Sequence, residues 1–233
     1  MPLTADQPIF IALRLVLVAI IGYLWGSLPP GYWMGKILRG RDFDIRNYGS
    51  RKTGATNVNR VLGLGPAIIV MILDLSKGIL PMLLAVYVPF FYVLGWGPLL
   101  AGLAALIGHR HPIFIGFQGG RGVLTGAGSL LFVAPPVSFL IFGIGAVFTI
   151  STIALSRYVS LGSLVGCVTV MICGVVFGLL GWLPVPAMLF MIVAPLLVII
   201  FHSDNIERLL AGKERKLGQK EVVASPGGAA SSR

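Results

Sequence analysis

Three polar stretches in an otherwise apolar chain carry most of the residue types that can bind an anion or move a proton. Residues 49–60 read GSRKTGATNVNR, residues 108–125 read GHRHPIFIGFQGGRGVLT, and residues 202–216 read HSDNIERLLAGKERK. In the first, Gly49, Ser50, Gly54, Thr56 and Asn57 supply flexible backbone, exposed N–H groups and hydroxyls that together can wrap an anion. Thr56 or Asn57 can also cap a helix running on toward Val61, which leaves the helix N-terminus open to a phosphate. Arg60 adds a fixed charge with a planar donor fork. The same residues also suit an ordinary capping loop with snorkelling charges, and this stretch alone does not choose between the two.

The second stretch places glycines at Gly116, Gly119, Gly120 and Gly122 around Gln118 and Arg121. A nucleotide-binding P-loop ends in Gly-Lys-Ser/Thr, which GGRGV does not supply. What remains is a Gly-rich turn with an arginine at the start of a helix, a fitting cradle for phosphate. His109 and His111 have no third ligand at metal-site spacing, so no metal is expected. In the third stretch His202, Asn205 and Ile206 fall at i, i+3 and i+4, which puts the histidine and the asparagine on one helical face. A neutral imidazole can accept a proton or bond an alcohol, and an asparagine can orient a hydroxyl or a phosphate oxygen.

Three further features have plainer readings. Asp74 and Lys77, in DLSKGILP, lie inside an apolar run at a spacing that allows an intrahelical ion pair, and a structural role is expected. In RYVSLGS, Ser160 suits a cap and Arg157 an orientation charge. Cys167 and Cys173, six apart in an apolar run, read as packing residues rather than a disulfide or a metal site.

These side chains must be positioned by a membrane-embedded scaffold. The 233 residues are 56% hydrophobic and 11% charged, with a mean hydropathy of +0.92, far from the balance of a soluble domain. Apolar runs at 9–37, 61–88, 90–107, 123–134, 137–155, 159–183 and 186–201 are continuous rather than alternating, so they predict helices. The expected fold is an all-α integral membrane protein of about seven transmembrane helices. The run at 123–134 is short for a full crossing. The first run lacks a cleavage pattern and reads as a span, not a signal peptide.

Basic residues sort these spans. Lys36, Arg39, Arg41, Arg46, Arg51, Lys52 and Arg60 fall in the first loop, Arg110 and Arg121 in the third, Arg157 in the fifth, and the rest after Phe201. The loops near Pro89, Pro135 and Leu183 have none. An outside N-terminus and a cytoplasmic C-terminus then satisfy the positive-inside rule, and all three polar stretches meet on the cytoplasmic face. Positive-inside sorting also accounts for much of the net charge of +10. Nucleic acid is not an expected partner, because the cations are scattered over short loops without interleaved aromatics. Residues 1–220 are expected to form one polytopic domain, and 221–233, EVVASPGGAASSR, a disordered cytoplasmic tail.

Taken together the motifs resemble the PlsY family of bacterial acyl-phosphate:glycerol-3-phosphate acyltransferases over nearly the whole chain. GSRKTGATNVNRVLG, DLSKGILP, GHRHPIF…GFQGGRGV and HSDNIERLLAGKERK are similar, in order, to the family's motifs. The resemblance implies transfer of a fatty acyl group from acyl phosphate to the 1-hydroxyl of glycerol 3-phosphate, giving lysophosphatidic acid and phosphate. It implies no cofactor and a location in the bacterial inner membrane, with the Gly-rich loops forming the site. It also implies that Ser50, Gly54, Thr56, Asn57 and Arg60 hold the donor phosphate. Arg121, with Gly119, Gly120 and Gly122, would hold glycerol 3-phosphate, while His202 and Asn205 orient the acceptor. Glu214 resembles the family's structural acid, and Ser160 is a fainter match. The proton acceptor is left between His202 and a substrate phosphate, and the family analogy leans to the latter.

Two departures stand out. Where the family usually has lysines in its second motif, this chain has Gln118 and Arg121, and where the first motif commonly has asparagine it has Lys52. Lys52 is therefore expected to supply the charge missing at position 118. Gln118 also favours the alternative of an inactive or retuned paralogue that binds or transports lipids or phosphate esters. A generic transporter would carry its polar groups near the membrane midplane instead.

Overall fold

Backbone N–H and C=O groups in hydrocarbon have no water to bond, so each apolar run must satisfy them within itself as a helix. The computed structural model describes residues 7–219, and among these every regular element is helical. In chain order they are α1 (Pro8–Gly26), α2 (Pro30–Arg39), α3 (Ala55–Leu62), α4 (Leu64–Tyr87), α5 (Pro89–Tyr92), α6 (Trp96–Arg110), α7 (Val123–Phe132), α8 (Val137–Ser156), α9 (Val159–Leu179), α10 (Val185–Ile200) and α11 (Ser203–Leu210). Three 3-10 turns, at Ile45–Asn47, Val93–Gly95 and Ile113–Ile115, complete the set. The expected tail at 221–233 lies outside the described residues.

All seven predicted apolar runs become helices, but not seven equal spans. Among the described residues five helical segments are long and apolar enough to cross a membrane, and a sixth is reached if α10 and α11, bent by 60° at their junction, count as one. The helix α7 has only 10 residues. At 1.5 Å per residue it is about 15 Å long, half the hydrocarbon thickness of about 30 Å. It packs instead on α4, where a Cβ at Gly78 would stand 1.9 Å from the Thr125 carbonyl oxygen and one at Gly128 2.2 Å from that of Leu75. Small residues are what allow two helix backbones to come this close.

The same device joins α1 to α6. Gly22 and Gly26, four apart, face Ala101 and Ala105, and a Cβ at Gly26 would lie 2.1 Å from the Ala105 carbonyl oxygen. Leu106, Ile141, Phe190 and Met191 are fully buried at the centre of the bundle. The outer surface carries large apolar side chains such as Val147, Ile150 and Leu155, a distribution suited to lipid rather than water. The helices α3, α7 and α11 begin in or beside the three polar stretches, so their N-terminal N–H groups are available at one end of the bundle.

Candidate functional site

The first polar loop is shaped by one amide. Asn57, in the first turn of α3, is almost fully buried. Its Nδ2 donates to the carbonyls of Ile45, Tyr48 and Lys52, and its Oδ1 accepts from the Ser50 N–H at 2.7 Å. Expected to hold a phosphate, Asn57 has its polar atoms engaged with the loop backbone. Gly49, at φ +57°, sits so close that a Cβ would meet Asn57 Oδ1 at 2.1 Å. The loop is tied to the second stretch by Arg46, whose Nη1 donates to the Ile115 carbonyl at 2.6 Å while Asp44 holds its other nitrogens.

The Gly-rich turn hangs from the end of α6. The Gly119 and Gly120 N–H groups donate to the carbonyls of Arg110 and His109, both at 3.1 Å, and so satisfy the orphan acceptors of a helix C-terminus. These two amides, expected to face phosphate, are therefore already used. Gly122, left-handed at φ +81°, starts α7, and the first N–H groups of that helix follow directly after Arg121. Arg121 Nη2 bonds Asp204 Oδ2 at 2.8 Å, while its buried Nε has no partner.

The third stretch turns at His202, which is buried just beyond α10. Its Nδ1 lies 2.7 Å from the Val198 carbonyl oxygen, so Nδ1 carries the proton and Nε2 presents a lone pair. Burial holds this imidazole neutral, with its pKa pushed down to about 4. Asn205 donates from Nδ2 to Glu214 Oε1 at 2.9 Å, and its buried Oδ1 is unpartnered. Glu214 also accepts from Arg208 Nε at 2.9 Å, and Arg208 reaches Asp204 at 3.4 Å. The acidic side chain thus braces α11 against the segment that follows it.

Electrostatically the three stretches form one site. Burial and then the nearby Arg110 hold the Lys52 ammonium below its ordinary range, and Lys52 also feels Asp204, Arg121 and Arg208. Burial and then Arg215 do the same to Arg60, which feels Glu214, Arg121 and Arg208. Burial raises the Asp204 carboxyl, but the charge and hydrogen bond of Arg121 outweigh it and leave that group below the usual carboxylate range. Among the described residues Lys52, Arg60, Arg110, Arg121, Arg208 and Arg215 thus surround two carboxylates, Asp204 and Glu214. An excess of partly buried cations is an arrangement that a phosphate dianion relieves.

Two openings adjoin this cluster. A small cleft of about 60 Å³ is lined by Thr56, Asn59, Arg60, Leu217 and Gln219. An apolar cavity of about 220 Å³ runs between α7, α8, α9 and α10. Its lining includes Val123, next to Gly122, and Val198, whose carbonyl accepts the hydrogen bond from His202 Nδ1–H. Ser163 lines it too, one helical turn from Ser160, whose buried hydroxyl oxygen is unpartnered. At another side lies Ile150, 66% exposed on the lipid-facing surface. Cys167 is a wall of this cavity and Cys173 packs against the core.

Below the Gly-rich turn lies a second, fully enclosed polar cluster. The expected pair of Asp74 and Lys77 is present at 2.8 Å, each side chain 4% exposed. Lys77 Nζ also donates to the Leu28 carbonyl at 2.8 Å and contacts His109 Nδ1 at 3.0 Å. Thr125 of α7 donates its hydroxyl to the Asp74 carbonyl at 3.0 Å.

A family model described as "Glycerol-3-phosphate acyltransferase" matches residues 16–212. The glycerol-3-phosphate acyltransferase of Thermoanaerobacter sp. (strain X514) is 40% identical over 208 residues, covering 89% of this chain and 98% of the relative. That of Parasynechococcus marenigrum (strain WH8102) is 43% identical over 210 residues, covering 90% and 93%. The chain belongs to this acyltransferase family. Its fold is similar to the crystal structure of PlsY (YgiH), an integral membrane glycerol 3-phosphate acyltransferase, in the glycerol 3-phosphate form, with a TM-score of 0.75 and 35% identity over 88% of this chain and 96% of that one. The lysophosphatidic acid form gives 0.71 and 34% with the same coverage.

The motifs drew attention to three polar stretches, and the structure brings Lys52, Arg60, Arg121, His202, Asn205 and Glu214 into one neighbourhood. Gln118 is exposed, outside the hydrogen bonds of the cluster. Sequence reasoning passed over Asp204 and Arg208, although both lie on a motif already singled out. It also read Arg110 only as a topology charge. Arg110 has a buried Nε without a partner, and its guanidinium stands 5.3 Å above the centre of the Phe201 ring, the residue before His202. His109 and Thr125 were legible only as part of a stretch, since their partners lie on α4.

Proposed function

We propose that this acyltransferase moves a fatty acyl group from acyl phosphate to the 1-hydroxyl of glycerol 3-phosphate, releasing lysophosphatidic acid and inorganic phosphate. The observation that carries this reading is an apolar cavity whose lining includes Val123, two residues after Arg121, and Val198, whose carbonyl accepts the His202 hydrogen bond. An acyl chain fits the cavity, with its tail leaving beside Ile150 toward lipid, and the mixed anhydride then lies between Arg121 and His202. Two phosphates account for the cation excess. Lys52 and Arg60, with Ser50, Gly54 and Thr56 around the start of α3, serve the donor phosphate. Arg121 and the first N–H groups of α7 serve glycerol 3-phosphate, with Gly119, Gly120 and Gly122 holding the turn that carries them.

The acceptor oxygen attacks the acyl carbon, the C–O bond to phosphate breaks, and the phosphate leaves with the electron pair. Arg121 stabilises the charge that develops. The hydroxyl proton needs an acceptor. At a pKa of about 4 His202 is a weaker base than a phosphate ester dianion, whose second pKa is about 6. A substrate phosphate therefore takes the 1-hydroxyl proton, and His202 Nε2 accepts instead from the 2-hydroxyl of the same glycerol, which aims the attacking oxygen. Asn205 Oδ1 offers an alternative acceptor for that 2-hydroxyl. No covalent enzyme intermediate is needed, because acyl phosphate arrives activated and positioning supplies most of the rate.

The charge segregation supports an external N-terminus, a cytoplasmic C-terminus and a site on the cytoplasmic face of the bacterial inner membrane. Residues 1–220 act as one polytopic domain. Purified protein given palmitoyl phosphate and glycerol 3-phosphate should release phosphate and form lysophosphatidic acid in equal amounts, each dependent on both substrates. Phosphate release at background, with a known enzyme active in parallel, would overturn the reading.

A further inference from the structure

The buried cluster beneath the Gly-rich turn contains three ionisable side chains that the mechanism does not use. Lys77 has three N–H bonds, and three acceptors surround its Nζ: Asp74 Oδ1 at 2.8 Å, the Leu28 carbonyl at 2.8 Å and His109 Nδ1 at 3.0 Å. An ammonium can only donate, so His109 Nδ1 must be the acceptor and the ring proton must sit on Nε2. Asp74 therefore fixes Lys77, and Lys77 fixes the tautomer and plane of His109. Such chains of partners behind a functional group are how an imidazole is held in one orientation.

The free edge of that ring points at the phosphate turn. A Cβ built on Gly120 would lie 2.1 Å from His109 Nε2, so the imidazole occupies the space a side chain would need. The Gly119 and Gly120 N–H groups meanwhile bond the last carbonyls of α6, one of them that of His109 itself. On the far side, the Thr125 hydroxyl ties the first turns of α7 to the Asp74 carbonyl. The turn is thus pinned along one edge, propped from below by a ring and anchored where α7 begins.

We infer that His109 is a positioning residue, held by Lys77 and Asp74, which sets the height of the 119–122 turn and so places Arg121 and the N-terminus of α7 for the substrate phosphate. This rests on the function proposed above, in that the phosphate belongs to glycerol 3-phosphate. It adds a coupling from the centre of the bundle to the ligand.

His109→Phe keeps the ring volume and removes both nitrogens. Its expected effect is a rise of about 10-fold or more in KM for glycerol 3-phosphate, with kcat changed much less. Inorganic phosphate should also protect the variant against heat less than it protects the wild type. A residue that only packs would lower the unfolding midpoint and leave both KM and phosphate protection unchanged, and that result would overturn the inference. Because the aromatic ring leaves Lys77 without one acceptor, a second pair of variants guards against misfolding. Gly120→Ala should impair phosphate protection strongly with His109 present and little in a His109→Ala background, where the methyl has room. Equal losses in the two backgrounds would contradict the contact. Phosphate protection needs no turnover, so it decides the inference even if acyl phosphate proves not to be the donor. Failure of wild-type turnover would count against the proposed function alone.

Discussion

Lys77 and Arg121 each face an aspartate at 2.8 Å, yet the two pairs differ in almost everything else. Around Lys77 both partners are 4% exposed and every ammonium N–H has an acceptor. Around Arg121 the aspartate is 38% exposed, the arginine Nε and the Asn205 Oδ1 lack partners, and cations outnumber carboxylates. A closed network of this kind fixes geometry, because removing any member strands a charge. An open one retains affinity for a ligand that can complete it. Both meet the same Gly-rich turn, the first through His109 against Gly120 and the second through Arg121 itself, so one builds the surface and the other uses it.

The widest separation between them should come from breaking the closed pair. Lys77→Met leaves Asp74 buried and unpaired, and is expected to cost about 3–5 kcal/mol, read as a fall in the unfolding midpoint in detergent. The double change Asp74→Leu with Lys77→Met should recover much of this stability without recovering KM for glycerol 3-phosphate. Arg121→Ala should do the reverse. It should lower kcat/KM by about 10²–10³-fold while the midpoint moves little, since it removes a charge from a net cationic group.

His202→Ala should lower kcat about 10²-fold. Its pH behaviour sharpens the point. The folded-state pKa of about 4 lies below the ordinary value of 6.5, so the neutral form is favoured on folding. The stability this group contributes is present above pH 6.5 and lost as pH falls toward 4. An acid limb in the rate near pH 6 then belongs to a substrate phosphate and should stay in place in His202→Asn. A limb that vanished in the variant would make His202 the base. The smallest effect expected is for Lys52→Ala, a rise of about 10-fold in KM for acyl phosphate that shrinks at high salt, as a half-exposed charge is screened. An unchanged KM would mean that Lys52 does not replace the charge absent at Gln118.

Much of this arrangement was legible before the structure. Continuous apolar runs marked the helices of the bundle, because lipid demands length and hydrophobicity, whereas α3 and α11 lie in the polar stretches and carry no such signal. The Asp74 to Lys77 pair followed from its spacing within one helix. What escaped was set by contacts between helices. The short run at 123–134 foretold a helix too short to cross, but nothing in its sequence says that Thr125 reaches an α4 carbonyl or that α7 leans on Gly78. Asn57 looked like a ligand group because its type suits one, and only the fold brings three carbonyls to its amide. Gly119 and Gly120 looked like anion donors for the same reason, although the end of α6 claims their N–H groups first.

In the proposed reaction the acyl chain enters the apolar cavity with its activated end at the cationic cluster. Ala127 lines that cavity and makes none of the hydrogen bonds or ion pairs of the polar cluster. The decisive measurement is turnover of Ala127→Phe with palmitoyl phosphate and with octanoyl phosphate, at saturating glycerol 3-phosphate, beside the wild type. The predicted result is a steep loss of kcat/KM for the long donor and near wild-type turnover of the short one. Equal effects on both donors, or no effect on either, would contradict the placement of the acyl chain.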